Sequence, residues 1–157
     1  MIKNLKIIKN SNYKDSRGYI WTSWEKSKIK IPFNHDKFAT FKRNVFRGFH
    51  GDSKTWKLMS CVYGKILLTI VNYDKKSKDY LKNKQIYLSH KKNIQILIPP
   101  KFINSTLCLS KNAVLHYKLS YKGKYNDVNK QFSVKWNDPR LKISWPKVKF
   151  ILSKRDK

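Results

Sequence analysis

The sequence predicts an all-β fold, a jelly-roll sandwich or barrel with few short helices, and three observations carry that prediction. Short runs rich in Ile, Val, Leu, Thr, Tyr and Phe recur along the chain. Gly, Pro, Asn and Asp turns divide them at short intervals. No segment sustains the apolar period of about 3.6 residues that a packed helix needs. A hydrophobic content of 40% supports a packed core rather than disorder, and 157 residues suit one domain spanning 1–157.

Taken in order, the run Leu5-Lys6-Ile7-Ile8-Lys9 reads as a strand, and Asn10 to Asp15 as a polar turn. Asp15-Ser16-Arg17-Gly18 leads into Tyr19 to Trp24, aromatic and β-branched and therefore strand-like. Lys26 to Lys30 is a basic connection, Ile31-Pro32-Phe33-Asn34 a loop, and Phe38 to Phe41 a short strand. The stretch Asn44-Val45-Phe46-Arg47-Gly48-Phe49-His50-Gly51-Asp52 is a further strand. Lys57 to Tyr63 and Ile66 to Tyr73 read as a hairpin about Gly64-Lys65, the second strand apolar on both faces and so covered by two layers. Asp74 to Lys84 is a charged loop. Ile86 to Ser89 and Ile94 to Ile98 are strands, the latter stopped by Pro99-Pro100. Thr106 to Ser110 and Ala113 to Leu119 read as a hairpin about Lys111-Asn112. Tyr121 to Gln131 is a loop, Trp136-Asn137-Asp138-Pro139 a turn or helix start, and Ile143 to Pro146 and Ile151 to Asp156 close the chain.

Composition narrows the function classes. Cys61 and Cys108 lie in apolar runs and read as core residues in a reducing, cytoplasmic compartment. The start Met1-Ile2-Lys3-Asn4 carries no secretory pattern, and no apolar run is long enough for a membrane helix. The net charge of +27 raises nucleic-acid binding as a possibility. The excess is scattered Lys, whereas Arg, the better base reader, is limited to Arg17, Arg43, Arg47, Arg140 and Arg155. The chain is also rich in Asn and Ile, as an AT-biased coding sequence would make it. Nucleic acid is therefore not the expected partner, and a basic cleft steering in an anionic small substrate accounts for the charge equally well.

The chemistry concentrates in Arg47-Gly48-Phe49-His50. Arginine offers a rigid fork for phosphate oxygens, and histidine exchanges protons near neutral pH. Strict alternation would put Arg47 and His50 on opposite faces of a strand. A bulge would bring them together, and Gly48 is where one could sit.

These pieces, in order, resemble the dTDP-4-dehydrorhamnose 3,5-epimerase family, nucleotide-sugar epimerases with a cupin jelly roll. The resemblance rests on Asp15 to Gly18, Asn44 to His50, Lys57-Leu58 with Gly64, Leu88-Ser89, Ile98 to Phe102, Leu109-Ser110, Tyr117-Lys118, Trp136-Asn137-Asp138, Trp145-Pro146 and Leu152 to Asp156. It implies that His50 is the general base, Asp156 its orienting partner, Lys57 the cation at the sugar ketone and Tyr117 the acid on the opposite face. It implies that Arg17 and Arg47 clamp the diphosphate of a nucleotide sugar, and that His35 and Asn104 line the substrate site. It also implies a homodimer with exchanged N-terminal strands, and no cofactor; the histidines lack the close spacing of a metal-binding cupin.

Three departures from the family pattern bear on substrate. Phe102-Ile103-Asn104-Ser105 stands where Phe-Ala-His-Gly is usual, Leu68 where an acid is common, and Gly51-Asp52 where an aromatic and Gln are usual. A chain with His-Gly-Asp resembles the branch acting on 4-keto-6-deoxy-heptoses for capsule or surface polysaccharide. The alternatives on the same fold are a 3,4-ketoisomerase and a non-catalytic sugar- or nucleic-acid-binding cupin.

Overall fold

The computed structural model describes residues 2–126 and 128–157. The strands are β1 (Lys6–Lys9), β2 (Asn12–Asp15), β3 (Gly18–Trp21), β4 (His35–Lys42), β5 (Phe46–Gly51), β6 (Trp56–Tyr63), β7 (Lys65–Asn72), β8 (Asn83–Ser89), β9 (Ile94–Ile98), β10 (Phe102–Cys108), β11 (Asn112–Ser120) and β12 (Phe132–Ser133). Helical structure among the described residues is limited to 3₁₀ turns at Val128–Lys130 and Pro139–Leu141. Asp138 caps the second of these, its carboxylate accepting from the Arg140 N–H at 3.0 Å. Asp127, in the predicted 121–131 loop, and Met1, at the start read as lacking a leader, lie outside the described residues.

Two antiparallel sheets face each other. One has the order β1-β9-β6-β11-β4, the other β12-β5-β10-β7-β8, and β2 pairs with β3 in a separate hairpin. The space between the sheets is filled by Phe41, Met59, Cys61, Ile66, Leu68, Ile70, Ile96, Phe102, Cys108 and Leu115. The outer face of the second sheet carries another core. Phe46, Phe49, Leu67, Val71, Ile103 and Leu107 pack there beneath Trp136, Ile143, Trp145, Phe150 and Leu152 of the C-terminal stretch. This explains the apolar character of β7 on both faces. Ile66, Leu68 and Ile70 enter the inter-sheet core, and Leu67 and Val71 the outer one.

Two predicted hairpins are corrected. The runs flanking Gly64 are β6 and β7, which belong to different sheets, and so do β10 and β11 around Lys111. Each connection is an arch over the end of the sandwich. The two arches touch, the Leu109 N–H donating to Lys65 O at 2.9 Å. Two apolar runs about a tight turn look alike in sequence whether they pair or cross the core. Here β6 already lies between β9 and β11, and β7 between β10 and β8. The polar run before Asp15 is also corrected: Asn12–Asp15 forms β2, in register with Trp21–Gly18.

The feature that positions the site is a bulge in β5. Asn104 of β10 pairs with His50 and Thr106 with Arg47, so three steps along β5 match two along β10. Phe46 and Phe49 therefore share the outer core. Arg47 and His50 turn together toward the other sheet, and the Arg47 guanidinium lies 4.6 Å from the centre of the Phe41 ring. Gly48 makes this possible. Its φ is +124°, and a Cβ there would stand 2.6 Å from Asn104 O. Gly51 approaches β10 as closely, with Phe102 O 2.0 Å from where its Cβ would be.

Candidate active site

His50 is held by the far end of the chain. The C-terminal stretch runs beside β5, the Phe46 N–H donating to Ile151 O at 3.0 Å and the Ile151 N–H to Asn44 O at 2.9 Å. This carries Asp156, 5% exposed, back to the bulge. Its Oδ1 lies 2.7 Å from His50 Nε2 and also takes the Gly48 N–H at 3.4 Å, while Oδ2 accepts from Ser153 Oγ at 2.8 Å. A carboxylate accepts, so the proton on this imidazole sits on Nε2 and Nδ1 is left with a lone pair. Nδ1 is buried and has no protein partner among the described residues. Burial, reinforced by the Arg155 charge, pulls the His50 pKa below 6.5 against the opposing pull of Asp156. The imidazole is thus a neutral acceptor near pH 7.

Lys57, at the start of β6, reaches across the sandwich. Its ammonium donates to Asn104 Oδ1 at 2.8 Å and to the backbone oxygen of His50 at 3.3 Å. Removal from water pushes its pKa down from 10.5 to about 8, opposed by the Asp52 carboxylate. Asp52 itself is 2% exposed. Its Oδ1 takes the N–H groups of Lys54 and Thr55 at 2.9 and 2.8 Å, and its Oδ2 is buried without a partner. Tyr117 projects from β11 into the same inter-sheet space, next to Met59 in the register. Burial raises its phenol pKa well above 10, with Arg47 the main opposing charge, so the hydroxyl keeps its proton.

The mouth of this space is basic and aromatic. His35 Nδ1 lies 3.0 Å from the Tyr121 hydroxyl, and its ring meets Tyr125 edge-on at 5.3 Å. Lys37 sits 4.2 Å above the Tyr125 ring. Arg155 Nη2 donates to Gln131 Oε1 at 3.2 Å, and Gln131 in turn donates to the Tyr125 hydroxyl. Sequence reasoning overlooked Lys37, Tyr121, Tyr125 and Arg155 as site residues. The signal available was the alternation of β4, which puts Lys37 on the face of His35, and the position of Arg155 beside Asp156. His116, one residue from Tyr117, points outward as alternation predicts, bonding Asp36 at 2.9 Å and stacking on Phe38.

Within one chain the cluster gathers His50, Asp156, Lys57, Asn104, Tyr117 and Arg47, with His35 at the mouth. Arg17 is not brought to it. It sits on the β2–β3 hairpin with its side chain 85% exposed and bonds Asp15 at 2.6 Å. That hairpin leans on the opposite end of the sandwich, the Tyr19 hydroxyl donating to His90 O. A cavity of about 890 Å³ lies apart from the cluster, beside β1 and lined by Trp24, Lys28 and Trp56. Among the described residues no three His, Cys, Asp or Glu side chains gather as a metal site, and no helix is long and apolar enough to cross a membrane.

Comparison with known proteins gives the family of the chain. The family model described as dTDP-4-dehydrorhamnose 3,5-epimerase matches residues 1–157. A protein of that name from Escherichia coli strain K12 is 28% identical over 165 residues, covering 99% of this chain and 88% of its own. One from Salmonella typhimurium is 27% identical, covering 92% and 82%. Among solved structures, a dTDP-6-deoxy-D-glucose-3,5-epimerase from Legionella pneumophila in complex with dTDP-4-keto-L-rhamnose superposes with a TM-score of 0.91. It is 29% identical, with 99% of this chain and 86% of that one covered. A dTDP-4-dehydrorhamnose 3,5-epimerase from Bacillus anthracis with TDP and PPi bound gives a TM-score of 0.91 at 25% identity, covering 98% and 91%.

Proposed function

The chain belongs to the dTDP-4-dehydrorhamnose 3,5-epimerase family, and from that premise we propose that it inverts C3, C5 or both in a nucleotide-linked 4-keto-6-deoxy sugar through an enolate. One observation carries the reading: the Nδ1 lone pair of His50 is free, and the main-chain oxygen of the same residue accepts from the Lys57 ammonium, in the interior that Tyr117 also enters.

The chemistry follows from these groups. The ketone at C4 acidifies the hydrogens on C3 and C5. His50 Nδ1 takes one of them, and the electron pair of the broken C–H bond moves into the carbonyl to form an enolate. Lys57 stabilises the negative oxygen, a contribution of about 3–4 kcal/mol for one well-placed donor. Tyr117, protonated at neutral pH, returns a proton to the same carbon from the other face, and solvent then reprotonates the phenolate and takes the proton from the imidazolium. Asp156 holds the imidazole tautomer and the charge it acquires. Proton transfer by such a base is worth about 10²- to 10⁴-fold.

Arg47 beside the ring site supports a diphosphate contact. Arg17 serves the diphosphate in a second subunit, in a homodimer built through the β2–β3 hairpin, whose Tyr13 and Ile20 are 70% and 75% exposed. The heptose form of the substrate, made for surface polysaccharide, is supported by Gly51–Asp52 and by the unpartnered Asp52 Oδ2, an acceptor suited to an additional hydroxyl.

Incubation with hexose and heptose 4-keto-6-deoxy nucleotide sugars in heavy water is expected to place deuterium at each inverted carbon, faster for the heptose. His50→Asn abolishes the exchange while leaving the circular dichroism unchanged. Absence of exchange at both carbons with either sugar sinks the assignment.

A further inference from the structure

We propose that the cavity on the outer face of the first sheet is a second ligand site, one that takes a nucleoside diphosphate. It lies on the reverse side of β6 from the His50 cluster: Trp56 lines it, while the next residue, Lys57, serves the cluster. Its volume of about 890 Å³ is ample for such a ligand. Nothing in the assignment depends on proton transfer at the cluster.

The walls offer flat apolar surface and positive charge together. Trp24 and Trp56 both border the cavity. Trp24 is held in place: its Nε1–H donates to Ile29 O at 3.1 Å, Phe33 meets its ring edge-on at 5.9 Å, and the Lys118 ammonium lies 5.7 Å from it. A wall fixed before binding costs little to order, and an indole suits a planar base. In the turn that follows, the N–H groups of Lys28 and Ile29 both donate to Glu25 O at 3.0 Å, which brings Lys28 and Lys30 to the same cavity. Glu25 is the only carboxylate lining it among the described residues, and Lys28 already engages it at 2.8 Å. Lys6, Lys9 and Lys30 also line it and have no carboxylate partner among the described residues. Unpaired cations over apolar walls focus a field that favours a multiply charged anion.

The floor adds an acceptor. Asn10 Nδ2 donates to Gln95 Oε1 at 2.8 Å, and Gln95 Nε2 to Ser60 Oγ at 2.7 Å. Gln95 and Ser60 are 0% and 1% exposed, so this relay is buried in the sheet. It fixes the Asn10 amide at the cavity and leaves its Oδ1 to accept from the N–H of a base. Scattered lysines attract any anion. Indoles and a fixed amide beside the cations add recognition of a ring that carries N–H donors.

Calorimetric titration with dTDP tests this on the wild type, on Arg47→Ala and on the double variant Lys6→Glu/Lys30→Glu. The wild type is expected to bind at two places on each chain, one beside Arg47 and one in the outer cavity. Arg47→Ala weakens only the first. The double variant weakens only the second, by about tenfold. Quenching of indole fluorescence in Arg47→Ala follows the second event by itself. Inorganic pyrophosphate, which has no ring, is expected to bind the cavity about tenfold more weakly than dTDP. If the double variant does not fold, Lys30→Ala stands in, with a loss of about threefold. Binding that the lysine variant leaves unchanged, as it will be where a second copy fills the cavity, overturns the site. Pyrophosphate binding as tightly as dTDP overturns the ligand class. A wild type that exchanges no deuterium overturns the epimerase reading and leaves this site standing, because its readout is binding.

Discussion

At the scale of single residues, the site depends on two groups whose pKa values burial lowers. Burial holds the His50 pKa below 6.5 and brings that of Lys57 down to about 8, so a neutral imidazole and a charged ammonium coexist between the two. The rate profile kcat/KM is expected to be bell-shaped. Its acid limb lies below 6.5, where His50 gains a proton, and its alkaline limb near 8, where Lys57 loses one. Lys57→Arg, whose charge does not titrate in this range, removes the alkaline limb. The stability of the fold has a matching sign. The unfolded chain binds a proton at His50 more readily than the folded one, so stability falls as pH drops below 6.5. Thermal melts of wild type and His50→Asn across pH 5–7 measure that slope, which the variant flattens. The meeting of His50, Lys57, Tyr117 and Asp156 was foreshadowed because each of these residues sits inside a recognisable run. Lys37, Tyr121 and Tyr125 were not, because nothing in a loop's composition tells which side chains fold over a mouth.

At the scale of elements, one inserted residue decides which side chains meet. Without the bulge Arg47 would join the outer aromatic core and Phe46 would turn inward. Gly48→Ala meets both an unfavourable φ and the backbone of Asn104 and Ser105. It is expected to destabilise the protein by about 2–4 kcal/mol, the sum of a left-handed backbone penalty and overpacking. It also costs activity out of proportion to folding, because the register of His50 and Arg47 slips. Chemical denaturation checks the first expectation; turnover per folded molecule checks the second. Sequence alternation located the strand, and Gly48 marked where its alternation could break. The mistaken hairpins at Gly64 and Lys111 have a different origin. A turn's residues specify its tightness, whereas the choice between pairing and arching is made by other strands, here β9 and β11 beside β6, β10 and β8 beside β7, β5 and β7 beside β10, and β6 and β4 beside β11.

At the scale of the whole molecule, Arg17 supplies the sharpest question. Its hairpin pairs with neither large sheet, presents Tyr13 and Ile20 to solvent, and carries the guanidinium away from the His50 of its own chain. If the hairpin docks on a second copy, each site draws Arg17 from one subunit and His50 from the other. Arg17→Ala and His50→Asn then each impair every site in their own homodimers. In a mixed dimer the two lesions fall together in one site and leave the other intact. Unfolding and refolding the two inactive proteins in equal amounts makes about half the dimers mixed, so about a quarter of wild-type turnover returns. If Arg17 served its own chain, every site in the mixture would carry one lesion and nothing would return. The same mixture run at low salt controls for the +27 charge. A diffuse basic field raises substrate encounter in all variants alike and fades with ionic strength, whereas complementation depends on which chain holds which lesion.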